Sequence, residues 1–183
     1  RLVIPENVIV VQHDREVPKM MNTGRLVHRL LENSLLIRYG VRGEPFDATP
    51  FQHAEADYAM LYPRDDAHRI APDVFLPQEG RFQAFILLDG TWSQAARMSR
   101  RVPGVKDMPC YVLPSGKPGR WAVRHSGDPR RLSTIEACAR LLALLGHSLE
   151  ADIMEQAFEA IAGGAARAKL DKFAQLTQKL GRG

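Results

Sequence analysis

The chain has 183 residues, of which 45% are hydrophobic and 25% are charged. These values are ordinary for a soluble globular protein of one domain. The sequence has no apolar run of membrane-spanning length, and its two cysteines are too few for a disulfide framework or a four-cysteine zinc site. The composition therefore predicts a cytoplasmic protein with no membrane segment and no bound metal.

Short apolar strands alternate with helical segments along the chain. The predicted strands are 8–11, 35–37, 59–62, 82–88 and 110–113. Helices are predicted from Asn22 or Thr23, over 93–98, from Ser133 and over 149–161, after which Gly163 and Gly164 end the last helix. The alternation predicts an α/β fold with a mostly parallel sheet and helices on both faces. It also predicts a domain over 1–162 and a basic helical tail over 163–183.

The junction between strand and helix at 87–92 is the most informative stretch. A strongly apolar run carries the chain to Asp89, and a helical pattern follows. Ligands bind at the carboxyl ends of strands in open α/β sheets, and a helix start offers unpaired backbone N–H groups. Asp89, Gly90 and Trp92 in one such turn therefore indicate a functional site. The alternative is that Asp89 only caps the following helix, a position that Asp favours.

The segment 97–131 is strongly basic. It contains nine Lys or Arg against two Asp, although the net charge of the whole chain is only +4. Trp121 and His125 lie within it. Arginines interleaved with aromatic residues suit phosphate contacts and base stacking, so the segment predicts nucleic-acid binding rather than only a solvated face.

Several common chemistries have no support in the sequence. A Gly-x-Gly-x-x-Gly dinucleotide motif, a phosphate loop of the Walker type and a Gly-x-Ser-x-Gly nucleophile elbow are all missing. The six histidines show no metal-ligand spacing, so each is predicted to be structural or exposed.

Five separated motifs resemble those of the DTW-domain family, which lies in a larger group with the ribosomal-RNA aminocarboxypropyl transferases. They are Gln-His at 12–13 with Asn-Thr-Gly-Arg-Leu at 22–26, Leu-Tyr-Pro at 61–63 with Asp-Ala at 66–67, Leu-Asp-Gly-Thr-Trp at 88–92 with Ala95, an arginine-rich stretch around Arg124, and Leu-Ser-Thr-Ile-Glu-Ala at 132–137. The third and fifth motifs are the most specific. The cysteine cluster that many members carry before the first strand does not occur in this sequence.

The resemblance implies a tRNA-uridine aminocarboxypropyltransferase. Such an enzyme moves the 3-amino-3-carboxypropyl group of S-adenosylmethionine to N3 of a uridine in tRNA. The implied fold is similar to that of the SPOUT methyltransferases, with a C-terminal trefoil knot. The alternatives are a SPOUT-like RNA methyltransferase, an aminocarboxypropyl transferase for ribosomal RNA, and a non-catalytic RNA-binding module. The intact third motif argues against the last of these.

The resemblance and the chemistry together give expected roles to named residues. Because uridine N3–H must lose its proton during attack, a fixed carboxylate is a suitable general base, and Asp89 is the candidate. The residues expected to bind S-adenosylmethionine are Leu61, Tyr62, Pro63, Leu88, Gly90, Thr91, Trp92, Ser133 and Thr134. The arginines expected to bind RNA are Arg25, Arg97, Arg100, Arg101, Arg120, Arg124 and Arg131. Ser133 and Glu136 also have the spacing of a capping box, so Ser133 has a structural role beside the proposed one.

Overall fold

Six strands form a single sheet in which every pair of neighbouring strands is parallel. The computed structural model describes residues 1–19, 22–52, 57–70, 82–114 and 131–180, without the side chains of 165–180. The strands are β1 (Asn7–His13), β2 (Ser34–Tyr39), β3 (Tyr58–Leu61), β4 (His68–Arg69), β5 (Ala84–Asp89) and β6 (Cys110–Val112). Their order across the sheet is β2-β1-β5-β3-β6-β4.

Helices cover both faces of this sheet, so the predicted α/β class is confirmed. The four α-helices of the described residues are α1 (Thr23–Leu30), α2 (Trp92–Arg101), α3 (Thr134–Leu144) and α4 (Ser148–Leu180), and two short 3-10 helices lie at Asp14–Glu16 and Thr49–Phe51. Helices α1, α3 and α4 pack on one face, and α2 packs on the other.

The alternation of side chains along the central strands produces two cores. Val8 and Val10 of β1 point into the core beneath α1, α3 and α4, whereas Ile9 and Val11 point into the core beneath α2. The sequence of β1 is apolar on both faces for this reason, as is usual for a buried parallel strand.

The chain leaves β1 and β5 in opposite directions. After β1 it passes through α1 to β2 at one edge, and after β5 it passes through α2, on the opposite face, to β6 in the other half of the sheet. β1 and β5 are neighbours, with Gln12 beside Asp89 in register. Such a reversal opens a crevice at the carboxyl ends of the two strands, which is where ligands bind in open α/β sheets.

The prediction that Gly163 and Gly164 end the last helix is wrong. Helix α4 continues through both glycines to Leu180. A glycine in a helix interior costs about 1 kcal/mol relative to alanine, and the neighbouring alanines are the best helix formers, so the helix tolerates the pair. No sequence pattern predicts β4, because a two-residue edge strand with exposed side chains has no apolar run. In the part of the chain that the structure describes, no helix is both long and apolar enough to cross a membrane.

Candidate functional site

Asp89 is the centre of a buried polar network at the carboxyl ends of β1 and β5. It is 4% exposed, and Gln12 and Asn22 beside it are 2% and 9% exposed. Gln12 Nε2 and Asn22 Nδ2 donate to Asp89 Oδ2 at 3.0 and 2.7 Å, and Thr134 Oγ1 donates to Asp89 Oδ1 at 2.6 Å. The network thus joins the ends of two strands to the starts of α1 and α3.

Asn22 connects this network to helix α1. Its Oδ1 accepts hydrogen bonds from the Gln12 side chain at 2.7 Å and from the backbone N–H of Arg25 at 2.6 Å, so that Asn22 caps the helix as predicted. The sequence analysis placed Asn22 as a cap but gave neither it nor Gln12 a role beside Asp89. The signal that marked both residues is the first of the five family-like motifs, which contains Gln12 and Asn22.

Gly24 of α1 provides the space that the Asp89 carboxyl group occupies. A Cβ atom added at Gly24 would lie 2.5 Å from Asp89 Cγ and 2.7 Å from its Oδ2. Gly24 is therefore required by a close approach between helix and side chain, and not by its own backbone conformation.

We expect Gly24→Ala to lower the free energy of unfolding by about 3 kcal/mol, because the new methyl group overlaps the buried carboxyl group. Gly163→Ala is the matched control, because no atom of the described residues, apart from the neighbouring residues and backbone of its own helix, lies within 4 Å of the added Cβ. That control should raise stability by about 1 kcal/mol through helix propensity alone. Urea denaturation measures both, and a Gly24→Ala protein as stable as the parent would mean that Asp89 is not held against α1.

Thr91 and Ser133 each close a capping box at a helix start. Thr91 Oγ1 accepts from Gln94 N–H while Gln94 Oε1 accepts from Thr91 N–H, and Ser133 and Glu136 do the same at α3. The predicted box at Ser133 is thereby confirmed. The alternative that Asp89 caps α2 is wrong, because the cap is Thr91, two residues later.

Two aromatic rings and a guanidinium group meet beside this network. The rings of Tyr62 and Trp92 have centroids 5.9 Å apart, and the guanidinium carbon of Arg131 lies 5.5 Å from the indole centroid. Burial raises the pKa of the Tyr62 hydroxyl, while the charges of Arg100 and Arg131 act in the opposite direction. These contacts bring together residues that the sequence separates by up to 69 positions.

The other residues expected to bind S-adenosylmethionine lie around the same strand ends. Leu61 is buried at the end of β3, Pro63 is exposed after it, and Leu88 is half-buried near the end of β5. Gly90 is half-buried, and a Cβ added to it would be 3.0 Å from Gln94 Cβ.

Arg64 fixes the loop that follows β3, a role that the sequence analysis missed. Its Nη1 donates to the carbonyl oxygens of Ser99 and Lys106 at 3.0 Å each, and its Nε donates to Asp66. The side chain is only 13% exposed. Arg64 thus ties the loop carrying Tyr62 to the end of α2, where backbone carbonyl groups lack helical partners.

The predicted RNA-binding arginines differ in their environments. Arg97, Arg100 and Arg101 are exposed on one side of α2, three and four residues apart, and Arg100 lies 3.5 Å from the exposed Asp65. Arg25 is half-buried and donates to the carbonyl oxygen of Val17. Arg120 and Arg124, with Trp121 and His125, lie outside the described residues.

The two cysteines lie in the hydrophobic cores. Burial raises the pKa of the Cys138 thiol to about 12, and it also raises the pKa of Cys110, whose Sγ donates to the Tyr62 carbonyl oxygen. Such thiols are poor nucleophiles. Among residues whose positions the structure gives, no three His, Cys, Asp or Glu side chains are grouped so that they could hold a metal ion.

The comparisons with known proteins agree with the motifs at this site. No solved structure matches the chain. A family model described as the DTW domain matches residues 3–164, a range that includes every strand and the helices α1, α2 and α3. This domain is consistent with an enzyme that modifies RNA. Because the match covers most of the sequence, the chain belongs to the DTW domain family.

Proposed function

We propose that this protein transfers the 3-amino-3-carboxypropyl group of S-adenosylmethionine to N3 of a uridine in tRNA. The observation that carries the proposal is the link between Asp89 and Thr134 at 2.6 Å, at the strand ends where Trp92 begins the arginine-bearing helix α2. The strand ends thus combine a proton acceptor (Asp89), an aromatic ring (Trp92) and a positively charged helix along which RNA can bind.

The residues around the crevice suit S-adenosylmethionine as the donor. Its sulfonium activates three carbons, and the enzyme selects the γ carbon of the amino-acid arm by placing the nucleophile in line with that bond. In our proposal, Tyr62 and Trp92 contact the adenosine or sulfonium part, and the start of α3 holds the amino-acid arm. The N–H and hydroxyl of Ser133 both donate to Glu136, so the N–H groups of Thr134 and the residue after it are the better anchors for a carboxylate.

The hydrogen-bond pattern supports a two-step path for the uridine proton. Asp89 is too deeply buried, and too fully hydrogen-bonded, to meet a nucleobase directly. Thr134 is half-buried and donates its hydroxyl proton to Asp89. As N3 attacks carbon, its proton passes to Thr134 Oγ1 while the hydroxyl proton of Thr134 passes to Asp89 Oδ1. Asp89 is therefore the final base, and Thr134 is the group that touches the substrate.

Three finer points belong to the same proposal. The parallel sheet, with α3 returning from β6 to the end of β5, suits a SPOUT-like fold with a C-terminal trefoil knot. The catalytic domain comprises residues 1–162, and residues 163–183 form a basic tail. The protein acts in the cytoplasm, where tRNA is available.

The decisive experiment is mass spectrometry of nucleosides from tRNA incubated with the protein and S-adenosylmethionine. Aminocarboxypropyl-uridine together with methylthioadenosine is the expected result. A methylated nucleoside with S-adenosylhomocysteine would instead identify an RNA methyltransferase. A parallel incubation uses ribosomal RNA. If ribosomal RNA is modified and tRNA is not, the protein is an aminocarboxypropyl transferase for ribosomal RNA.

The arginines of α2 provide a separate test of the RNA surface. The backbone of Arg100 lies about 12 Å along the helix axis from that of Trp92. Its side chain can therefore reach phosphates near the target nucleotide. We expect Arg100→Ala with Arg101→Ala to weaken tRNA binding and to reduce the slope of log affinity against log salt by about 1 to 2. Arg29→Ala with Arg69→Ala removes the same charge from exposed positions outside α2 and is the control. Equal slopes for both double variants would place the RNA elsewhere.

A further inference from the structure

His13 ends β1 at the rim of the crevice, directly after Gln12 of the Asp89 network. Successive side chains of a strand point to opposite faces, so His13 lies on the α2 side of the strand ends while Gln12 faces Asp89 on the other side. A Cβ atom added at Gly90 would lie 3.6 Å from the Cβ of His13. The half-buried histidine therefore borders the turn that joins β5 to α2.

The His13 ring presents a hydrogen-bond donor that the fold does not use. Its Nδ1 accepts a hydrogen bond from the backbone N–H of Arg15 at 3.2 Å, which leaves the ring proton of the neutral form on Nε2. That Nε2–H donates to no residue that the structure describes. Within the described ranges, every fully buried side-chain nitrogen or oxygen has a partner, so the Nε2–H reaches the protein surface.

Neighbours on β2 hold this ring in place. Tyr39 is the register partner of His13, and its ring meets the imidazole edge-on with 6.5 Å between the centroids. Gly40 follows with a φ of +84°, and a Cβ atom added there would lie 3.9 Å from both Cε1 and Nε2 of His13. Glycine at position 40 therefore leaves the Nε2–H edge of the ring uncovered, facing the loop after β2.

The loops after β1 and β2 carry positive charge beside this donor. Arg15 and Arg42 are exposed, and neither forms an ion pair with an acidic residue whose position the structure gives. Glu44 is an exposed carboxylate in the same region. The other acids of these loops are paired at 2.6 and 2.7 Å, in Asp14–Arg38 and Glu16–Lys19. A fixed neutral donor beside two guanidinium groups suits a phosphate oxygen.

We infer that His13, Arg15 and Arg42 form a second RNA contact, in which Nε2–H of His13 donates to a phosphate oxygen next to the target nucleotide. The inference rests on the proposed function and adds a second surface to it. From β5 the chain enters α2 toward one half of the sheet, whereas β2 is the edge strand of the other half. Neighbouring strands are about 4.8 Å apart, so β2 lies about 10 Å from β5. RNA that touches both surfaces crosses the crevice and is held on each side of the reacting nucleotide.

The test uses the difference in charge between the histidine and the arginines. His13→Asn keeps an oxygen that can accept from the Arg15 N–H, but it removes the donor at Nε2. In filter-binding assays it should weaken tRNA binding about tenfold at every salt concentration, as expected for one hydrogen bond to a charged group. The slope of log affinity against log salt should stay unchanged, because a neutral donor releases no counterion. Arg15→Ala with Arg42→Ala should instead reduce that slope by about 1 to 2.

Matched controls separate the contact from the fold and from the donor site. His13→Gln places an N–H donor near the position of Nε2 and should recover most of the tRNA affinity. Arg29→Ala with Arg69→Ala is again the control for the arginines, since both side chains are exposed elsewhere. The dissociation constant for S-adenosylmethionine, measured by calorimetry, and the melting temperature should match the parent in every variant.

Each result decides the inference. Parental tRNA affinity in folded His13→Asn overturns it, as does a parental salt slope in the double variant of Arg15 and Arg42. Loss of affinity for S-adenosylmethionine rather than for tRNA would place His13 at the donor and also overturn it. If His13→Asn fails to fold, His13→Gln and the exposed arginines decide. A parent that binds no tRNA would refute the proposed function itself, whereas the other outcomes leave that function standing.

Discussion

Asp89→Asn is expected to reduce the rate of aminocarboxypropyl transfer by about 10³-fold, because an amide cannot take up the uridine proton. The substitution also harms the fold. An amide at position 89 has a single acceptor oxygen, so its N–H₂ group faces either the N–H donors of Gln12 and Asn22, which then lack an acceptor, or Thr134, whose hydroxyl must then accept and can no longer donate to position 89. Unsatisfied buried donors of this kind cost about 1 to 3 kcal/mol each. Single-turnover kinetics and thermal melting measure the two effects separately.

A second substitution separates catalysis from folding. Asn22→Asp in the Asp89→Asn background places the carboxylate at position 22, where it accepts from Gln12, from the backbone N–H of Arg25 and from the new amide. We expect this double variant to regain most of the lost melting temperature while transfer stays about 10³-fold down. Return of the transfer rate together with stability would show that Asp89 serves the fold alone, and the base would have to be another group.

The parts of this fold that were predicted correctly are those encoded in short stretches of sequence. The apolar runs of β1 and β5 and the capping box from Ser133 to Glu136 depend on neighbours within a few residues. Asp89 was predicted at the end of a strand because a continuous apolar run leads to it. Local patterns of this kind predict where a polar group lies along an element, but not what it touches.

The parts that were missed depend on contacts between distant residues. Asp89 is 77 positions from Gln12, 67 from Asn22 and 45 from Thr134, and no periodicity relates them. The need for glycine at position 24 follows from the side chain of Asp89 and not from a turn. Arg64 is one of the many basic residues of the chain, and its side chain hydrogen-bonds the end of α2 from the loop after β3. Charge alone did not distinguish it from an arginine that binds RNA.

The error at Gly163 and Gly164 has a different physical origin. Two glycines lower the local propensity for helix, and the prediction treated that penalty as decisive. The helix that contains them is anchored by Ala151, Met154 and Phe158 in the core, so that the helix begins on a packed surface and extends through the pair. Packing outweighed propensity, as it commonly does in folded proteins.

Thr134→Val is expected to reduce the transfer rate about 10²-fold while leaving the KM for S-adenosylmethionine nearly unchanged. Valine has the shape of threonine but no hydroxyl, so the path from N3 to Asp89 is interrupted. The helix start itself should survive, because Ser133 and Glu136 form the capping box without Thr134. The expected loss of stability is about 2 to 3 kcal/mol, because the buried Asp89 carboxylate loses a hydrogen-bond donor.

Thr134→Ser is the matched control, because serine keeps the hydroxyl and loses only a methyl group. It should retain most of the parent rate. The ratio between the serine and valine variants thus isolates the hydroxyl from the shape of the side chain. If valine instead raised the KM for S-adenosylmethionine and left the turnover number unchanged, the hydroxyl would be a ligand of the donor. Proton transfer to Asp89 would then need a water molecule, or the uridine would have to reach the carboxylate after the network opens, and the relay proposed above would be wrong.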